Sequence, residues 1–421
     1  MNPSRKEILL YTLPILLSSL SEHLLLLTDV LLLSFQEKVY LAAVGFVDAF
    51  LLCSLSLGFA LNDSFQNFYA RNTEKTSMSY PIYRKSLHTF LLLSLLVGFC
   101  ALVLVWLFSF TQQNRVYHEF LHVAPFIIPL IAANFISLAM NAYLIANDRI
   151  KTVGIVSFIV ILTNALLGYL LLFVFHLPFS PLLTILISSF ISELIGIAMM
   201  HLAIQKMKPT VSVNLSNRPR KLFNLLHRVA IYPAFSEFLF HAGSFALFVF
   251  CAHFFNENEI AQITLLLAYW GVMMVPVETF SETGLNFFAR LFASKATIHY
   301  LPLKRKIFQT ACLVAFFLFI VVCTMDFVLV RNEKSDLIEL LLLLVIVLIS
   351  AHNQLILTAM LTKLKTVLFG LTKAIYGATV ITFLCLFVFY WKADATSVFL
   401  SFLIGQFVIM LFLQVKEKSI G

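Results

Sequence analysis

The chain of 421 residues is 61% hydrophobic and only 12% charged, which excludes a soluble globular protein of this length. Its formal net charge of +8 could indicate a nucleic-acid partner, but the basic residues lie between apolar segments and form no single basic patch. The composition therefore predicts an all-α polytopic membrane protein.

Long apolar segments predict about twelve transmembrane helices, because each is close to the roughly 20 residues that a bilayer requires. The first six are expected at 8–34, 40–66, 86–110, 118–146, 152–175 and 180–205. After a polar stretch, six more are expected at 229–254, 260–284, 307–331, 337–361, 366–391 and 396–415. We therefore expect two six-helix bundles, residues 1–205 and 229–421, joined by a cytoplasmic linker at 206–228.

The first predicted helix, LPILLSSLSEHLLLLTDVLL at 13–32, carries ionisable side chains in an otherwise apolar run. A carboxylate near the middle of a membrane costs roughly 2.5–3.5 kcal/mol on insertion scales, and it persists where it faces a bundle interior or a water-filled cavity. Ser18, Glu22 and Asp29 are spaced by four and seven residues, so they share one helical face. This pattern predicts that Glu22 and Asp29 belong to the ion site of a transporter.

The basic residues predict the orientation of the chain. If the N-terminus is cytoplasmic, 23 of the 29 Lys and Arg residues fall in cytoplasmic segments and 5 fall on the other side. Cytoplasmic loops of membrane proteins carry an excess of Lys and Arg. We therefore expect a multi-pass protein of the cell or inner membrane with both termini in the cytoplasm, whose positive charge contacts anionic lipid and not nucleic acid.

The two halves of the sequence repeat one another. Residues 63–71 align with residues 282–290 at an offset of 219, with Asn, Phe, Ala and Arg shared, and residues 151–153 recur at 365–367. Because six helices per half is an even number, both halves enter the membrane in the same direction, and the repeat is parallel. Substrate sites in such proteins lie between the two bundles near mid-depth.

Several stretches share features with a known transporter family. They are the proline-led first helix with its Asp, LAAVGF at 41–46, ANDRIKTVGIVSFIVILTNALLGYLLLF at 146–173, and the proline-led YPAFSEFLFHAGSFALF at 232–248. In their order and two-fold repeat they resemble the multidrug and toxic compound extrusion (MATE) family, within the wider multidrug, oligosaccharidyl-lipid and polysaccharide exporter superfamily. The resemblance implies a twelve-helix fold and the export of xenobiotics.

The resemblance also implies roles for individual residues. Asp29 falls on the family's first-helix Asp, which binds or releases the coupling proton or sodium ion, and Asn164 falls on the fifth-helix Asn of the same site. The seventh helix has His241 in place of the family's Glu, and Glu237 lies one turn earlier on the same face. The tenth-helix Asp is Ala351 here, so the resemblance implies a degraded second cation site.

Other candidates come from the residues themselves. Glu193 lies with three serines in the sixth helix and could line the cavity of the N-terminal bundle, so we include it in the predicted ion site with Asp29, Asn164 and Glu22. Glu278 and Glu282 are four residues apart in the eighth helix, near Arg290, a pattern that fits either an ion pair or a cavity position. The predicted cavity residues of the C-terminal half are Glu237, His241, Glu278 and Gln354.

Together these features predict a secondary active exporter, in which an inward proton or sodium gradient drives efflux of small, amphipathic, cationic compounds. Buried carboxylates can recover part of their desolvation cost by pairing with a cationic substrate. We expect no cofactor and no metal site, because the six cysteines lie in apolar runs without metal-binding spacing. We also expect a monomer in contact with membrane lipid.

Two other functions remain open. A flippase for lipid-linked precursors or polysaccharides, from the same superfamily, would place cations in its cavity to bind diphosphate, and Lys373 is the only candidate in the interior helices. An intramembrane lipid-modifying enzyme would need an Asp-rich metal motif or clustered catalytic histidines, and the sequence contains neither. We therefore do not expect an enzyme.

Overall fold

The computed structural model describes residues 3–71, 76–108, 114–147, 149–175, 177–207, 238, 241–243, 245–293, 297–329, 336–363, 366–390 and 394–417. Within these residues all regular structure is helical and no strand occurs. Ten of the described helices are long and apolar enough to cross a membrane. The predicted fold class, an all-α polytopic membrane protein, is confirmed.

The first half of the chain forms six helices: α1 (Arg5–Leu33), α2 (Lys38–Arg71), α3 (Thr76–Phe108), α4 (Arg115–Ala146), α5 (Ile150–Tyr169) and α6 (Pro181–Lys206). A π-helical turn, Leu170–Val174, extends α5. Ser4 caps α1 in a capping box, because its hydroxyl accepts from the backbone N–H of Glu7 while the Glu7 carboxylate accepts from the backbone N–H of Ser4.

The second half forms α7 (His241–Phe254), α8 (Glu257–Ala293), α9 (Tyr300–Leu329), α10 (Leu337–Thr362), α11 (Thr366–Tyr390) and α12 (Ala395–Glu417). A short 3₁₀ helix, Thr297–His299, precedes α9. The helix starts follow the sequence repeat: α2 begins at Lys38 and α8 at Glu257, 219 residues later, and α6 and α12 begin 214 residues apart.

Contacts group these helices into two compact units. The first unit comprises Met1–Ala42 and Phe254–Gly421, and the second comprises Ala43–His253. This division differs from the predicted bundles, because α1 belongs with α8–α12 and α7 belongs with α2–α6. The two halves of the chain behave alike in this respect, because the first helix of each half, α1 or α7, belongs to the unit that contains the other five helices of the opposite half. We call this the exchange of α1 and α7. Apart from Lys206 and Met207, the predicted linker at 206–228 lies outside the described residues.

The membership of α1 in the first unit has its cause in an antiparallel seam with α8. Near the start of α1, the hydroxyl oxygens of Thr12 and Thr283 are 2.8 Å apart, and both residues are fully buried. The neighbouring residues of the seam make an aromatic contact, in which the ring centroids of Tyr11 and Phe287 are 5.5 Å apart. Residues of α1 thus meet residues of α8 that come more than 250 positions later.

The membership of α7 in the second unit depends on aromatic packing and a hydrogen bond. The ring centroids of Phe245 in α7 and Phe50 in α2 are 5.4 Å apart. Asn114, which caps α4, donates its side-chain N–H to the backbone carbonyl oxygen of Ala252 at 2.8 Å. These contacts attach both ends of the described part of α7 to the second unit.

At the opposite end of the first unit from Thr12, the carboxylate of Glu339 joins three helices. Gln262 of α8 donates to both carboxylate oxygens of Glu339 at 3.0 Å, and the hydroxyl of Thr396 of α12 donates at 3.3 Å. Glu339 also completes the N-terminal capping box of α10 with Asp336. The buried carboxylate is therefore satisfied on several sides, as its burial requires.

Candidate functional sites in the two units

The second unit contains a cluster of one amide and two hydroxyl groups, Asn164 of α5 with Ser188 and Ser189 of α6. The hydroxyls of Ser188 and Ser189 lie 2.9 and 3.2 Å from Oδ1 of Asn164, which is fully buried. The Ser188 hydroxyl also lies 2.8 Å from the carbonyl oxygen of Ile185, so two acceptors share its single proton. We call this group the amide–hydroxyl cluster.

Glu193 lies one turn beyond Ser189 on the same face of α6. Its side chain is partly buried, and the buried hydroxyl of Ser137 in α4 is within hydrogen-bonding reach of its carboxylate. Two of the predicted ion-site residues, Asn164 and Glu193, therefore lie in the same unit, since Asn164 of α5 contacts Ser189 and Glu193 lies one turn further along α6.

Asp29 lies in the first unit, near the end of α1, and is only 7% exposed. Its neighbours Leu27, Val30 and Leu33 are also buried, so the carboxylate occurs in an apolar stretch of helix. Asp29 and Asn164 belong to different units, and the expected interaction between them stays a prediction. Glu22 is on α1, but its side chain lies outside the described residues.

The seam between α1 and α8 contains an acid–base pair, His23 with Glu278. Nε2 of His23 is 3.2 Å from Oε2 of Glu278, and the hydroxyl of Ser19 donates to the same oxygen at 3.2 Å. The His23 and Glu278 side chains are 25% and 49% exposed. Opposite the imidazole, a Cβ added at Gly271 would lie 2.9 Å from Nδ1 of His23, so the glycine permits the close approach.

Sequence reasoning missed the partner of Glu278. The sequence suggested Arg290, whose side chain lies outside the described residues, whereas the structure pairs Glu278 with a residue 255 positions earlier. One signal was present: Ser19 and His23 are spaced by four residues, so their side chains project from one face of α1 and can approach a single carboxylate.

The remaining candidates are distributed over both units. His241, partly buried in α7, lies in the second unit, while Gln354, partly buried in α10, lies in the first. Glu237 lies outside the described residues. Next to Gln354, the amide of Asn353 donates to the backbone carbonyl oxygen and Oε1 of Gln406 at 3.0 and 2.9 Å, which joins α10 to α12.

Lys373, the cation on which a flippase would depend, is partly buried in α11. Its Nζ lies 5.1 Å from the ring centroid of Phe369, one turn earlier on the same helix. This distance is within the range of a cation–π contact inside α11. Among the described residues, no group of three or more His, Cys, Asp or Glu side chains could hold a metal ion.

Comparison with known proteins gives a consistent result for the fold. The MatE family model matches residues 14–170. An inward-facing multidrug resistance MATE family transporter of the MOP superfamily superposes with a TM-score of 0.75 at 14% identity, covering 97% of this chain and 98% of the other. An outward-facing multidrug resistance MATE family transporter superposes with a TM-score of 0.70 at 13% identity, covering 100% of this chain and 97% of the other. A MATE structure in complex with MaL6 superposes with a TM-score of 0.69 at 14% identity, covering 100% of this chain and 98% of the other. No curated protein matches the sequence.

The apolar helices define a multi-pass membrane protein with two compact helical units. Its fold is that of the MATE transporters, over essentially the whole chain. The MatE family model adds sequence evidence over residues 14–170. The resemblance predicted from the sequence is thereby confirmed.

Proposed function

We propose that the protein is a secondary active exporter that moves small, amphipathic organic cations out of the cell in exchange for protons or sodium ions. The observation that carries this proposal is Asp29, a carboxylate only 7% exposed in an apolar helix. Ionisable groups in such positions mark ion pathways and proton relays, because their insertion cost is recovered by binding a cation. The inward- and outward-facing forms of proteins with this fold support alternating access.

In the proposed cycle, ionised Asp29 favours the state that binds the cationic substrate. A proton or sodium ion arriving from outside neutralises the carboxylate and removes its attraction for the substrate, which then leaves outward. The ion departs inward and resets the cycle. Asn164 stays a predicted member of the ion site, since an amide oxygen can accept a hydrogen bond from a protonated carboxyl or coordinate a hard cation.

The acid–base pair of His23 and Glu278 on the α1–α8 seam places further ionisable groups in the same unit as Asp29. Glu278 offers a carboxylate that is half exposed within an apolar span, and His23 is of the residue type that ordinarily titrates near neutral pH. We assign this pair to the substrate-facing side of the transport path. Glu237 and His241 in the predicted seventh helix, with Gln354 of α10, remain candidates for the cavity.

The test is transport of a fluorescent organic cation in proteoliposomes, with the pH and sodium gradients imposed separately. Wild-type protein should accumulate the cation under one of the two gradients. Asp29→Asn keeps the shape of the side chain and removes its charge, so it should fold normally and lower transport by about tenfold or more. Asp326→Asn is the matched control, because Asp326 is also buried in the first unit, near the end of α9, where it accepts a hydrogen bond from the Tyr269 hydroxyl at 3.1 Å.

Full efflux by Asp29→Asn, with an unchanged dependence on external pH and sodium, would contradict a coupling role for α1. Failure of both gradients to drive wild-type transport would remove the antiporter proposal altogether. Transport of a lipid-linked diphosphate under the same conditions would favour the flippase alternative.

The proposed orientation has its own test, cysteine labelling in a variant that lacks the six native cysteines. A cysteine at Ser216 should react only from the cytoplasmic side, and one at Asn256, an exposed residue between α7 and α8, only from outside. Both should react after the membrane is permeabilised. The reverse pattern would overturn the assignment of both termini to the cytoplasm.

A further inference from the structure

The first unit contains a cavity of about 560 Å³ where the beginning of α1 meets the beginning of α9. Its lining residues are Arg5 of α1 with Leu301, Pro302, Arg305, Lys306 and Gln309 of α9. Three of these six residues are cations and none is a carboxylate. The exposed wall of the cavity is mostly apolar, and three of its lining side chains carry a positive charge, so the cavity suits a molecule that combines an anionic group with apolar chains.

The cations at the cavity come from α1 and α9, and hydrogen bonds fix two of them in position. The guanidinium of Arg5 donates to Oε1 of Gln309, and Nζ of Lys306 lies 3.3 Å from the carbonyl oxygen of Pro3. A guanidinium has five N–H donors, so Arg5 retains donors for a further acceptor. Arg305 is exposed on the same turn of α9 as Lys306. Arg side chains recognise phosphate through paired hydrogen bonds.

An apolar stripe continues from the cavity along α9. Leu313, Phe316 and Ile320 follow Gln309 at helical spacing and are 65%, 54% and 50% exposed. On α1, Leu9 lies one turn after Arg5 and is 40% exposed. Both helices thus present a basic residue at one end and exposed apolar side chains in the adjoining span.

We propose that this cavity binds the phosphate headgroup of an anionic phospholipid, with the acyl chains lying along the apolar stripe of α9. Basic pockets between transmembrane helices bind anionic headgroups in this way. A soluble anion would need only the cations, whereas the juxtaposition of Arg5, Arg305 and Lys306 with the exposed span of α9 suits a molecule that is charged at one end and apolar along its length.

The carboxylates in the vicinity have other partners. Glu417 of α12 accepts from Nζ of Lys304 at 2.5 Å and from the Tyr300 hydroxyl at 3.2 Å. Hydrogen bonds from the backbone and hydroxyl of Ser4 lower the pKa of Glu7, and the charge of Lys306 lowers that pKa further. Glu7 therefore stays ionised in its capping box, outside the lining of the cavity, and leaves the two arginines to the phosphate.

The experiment is native mass spectrometry of the purified protein titrated with phosphatidylglycerol or with phosphatidylcholine. Wild-type protein should bind one phosphatidylglycerol in preference to phosphatidylcholine, and Arg305→Gln with Lys306→Gln should weaken that binding by about tenfold. Arg149→Gln with Lys151→Gln is the matched control, since it removes two exposed cations at the start of α5 in the second unit. The control should bind phosphatidylglycerol as the wild type does.

Equal losses in the double variant and its control would overturn the proposal, because they would reflect net charge alone. Displacement of phosphatidylglycerol by excess inorganic phosphate would overturn the lipid assignment and indicate a soluble anion. Arg5→Gln removes a cation from the other helix at an exposed position, and it should weaken binding by about threefold. If the double variant fails to fold, unchanged binding in Arg5→Gln would contradict the proposal.

Discussion

The first unit joins α1 to α8 through the ionisable pair His23 and Glu278, whereas the second unit joins α5 to α6 through the neutral groups of Asn164, Ser188 and Ser189. The ionisable pair is partly exposed, with 25% and 49% of the two side chains accessible. The neutral cluster is buried, with Asn164 and Ser188 fully inaccessible.

The difference follows from the cost of burial. A hydroxyl or amide that keeps its hydrogen bonds can be buried at little expense, but a charged group is costly unless it is paired or in contact with water. Neutral hydrogen bonds can therefore fix the geometry of α5 and α6 permanently. The proposed coupling residue Asp29 and the pair His23 and Glu278 all belong to the first unit, and this comparison suggests that the change of charge takes place in that unit.

Glu278→Gln should have the largest effect of the variants that probe this comparison. The change removes the charge that pairs with His23, and hydrogen bonds to a charged group contribute about 1.5–3 kcal/mol. We expect transport in proteoliposomes to fall by about tenfold, which corresponds to about 1.4 kcal/mol, with a flatter dependence on external pH.

Glu282→Gln is the matched control for that experiment, since Glu282 is also exposed and lies one turn further along α8. It should transport at close to the wild-type rate. An equal loss in both variants would show that the effect comes from the net charge of α8, and the assigned difference between the two units would then fail.

Asn164→Ala should have an intermediate effect. It removes the acceptor shared by the Ser188 and Ser189 hydroxyls, although Ser188 can still donate to the carbonyl oxygen of Ile185. We expect a loss of about 1–2 kcal/mol of stability, seen as a lower thermal midpoint, and about threefold slower transport without a change in its pH dependence.

Ser192→Ala provides the comparison for Asn164→Ala, because Ser192 is fully buried on α6, the helix of Ser188 and Ser189, and donates to the Ser189 carbonyl oxygen of its own helix. It should change neither the midpoint nor the transport rate appreciably. A shift in the pH dependence of transport by Asn164→Ala would place the titrating step in the second unit and would contradict the difference that we assign to the two units.

Thr283→Val should have the smallest effect. It removes one hydroxyl from the contact of Thr12 with Thr283 and keeps the volume of the side chain, while Thr12 retains the Ile8 carbonyl oxygen as an acceptor. We expect about 1 kcal/mol of lost stability, measured as a lower thermal midpoint, with normal transport. Loss of transport without loss of stability would show that this level of the seam moves during the cycle.

Much of the fold could be predicted from the sequence, because the cost of an unsatisfied backbone in lipid leaves helices as the spanning structure for apolar segments of this length. The sequence placed the starts of the second and eighth helices at 40 and 260, and the structure begins α2 at Lys38 and α8 at Glu257, at the 219-residue offset of the sequence repeat. The burial of Asp29 also followed from energetics, since a carboxylate in an apolar span has to avoid lipid.

The partners of these residues could not be predicted in the same way. Hydropathy says which residues enter the membrane but not which helix each one contacts, so α1 was expected in a unit with α2–α6. Its position beside α8 depends on shape, as at Gly271, where the absence of a side chain admits His23. The sequence suggested Arg290 as the partner of Glu278 because a single sequence shows only which residues are close along the chain, and not which residues of distant helices meet.

The exchange of α1 and α7 between the units also affects how the protein is made. The Thr12–Thr283 contact spans 271 residues, so α1 enters the bilayer long before the ribosome has produced the helix that forms its seam. Contacts of such sequence separation are slow to form, and multidomain chains expose incomplete surfaces in the meantime. Truncation within α8 should therefore leave α1 inserted but unassembled. We expect biogenesis of this protein to depend on holding early helices near the insertion machinery until the second half of the chain has been synthesised.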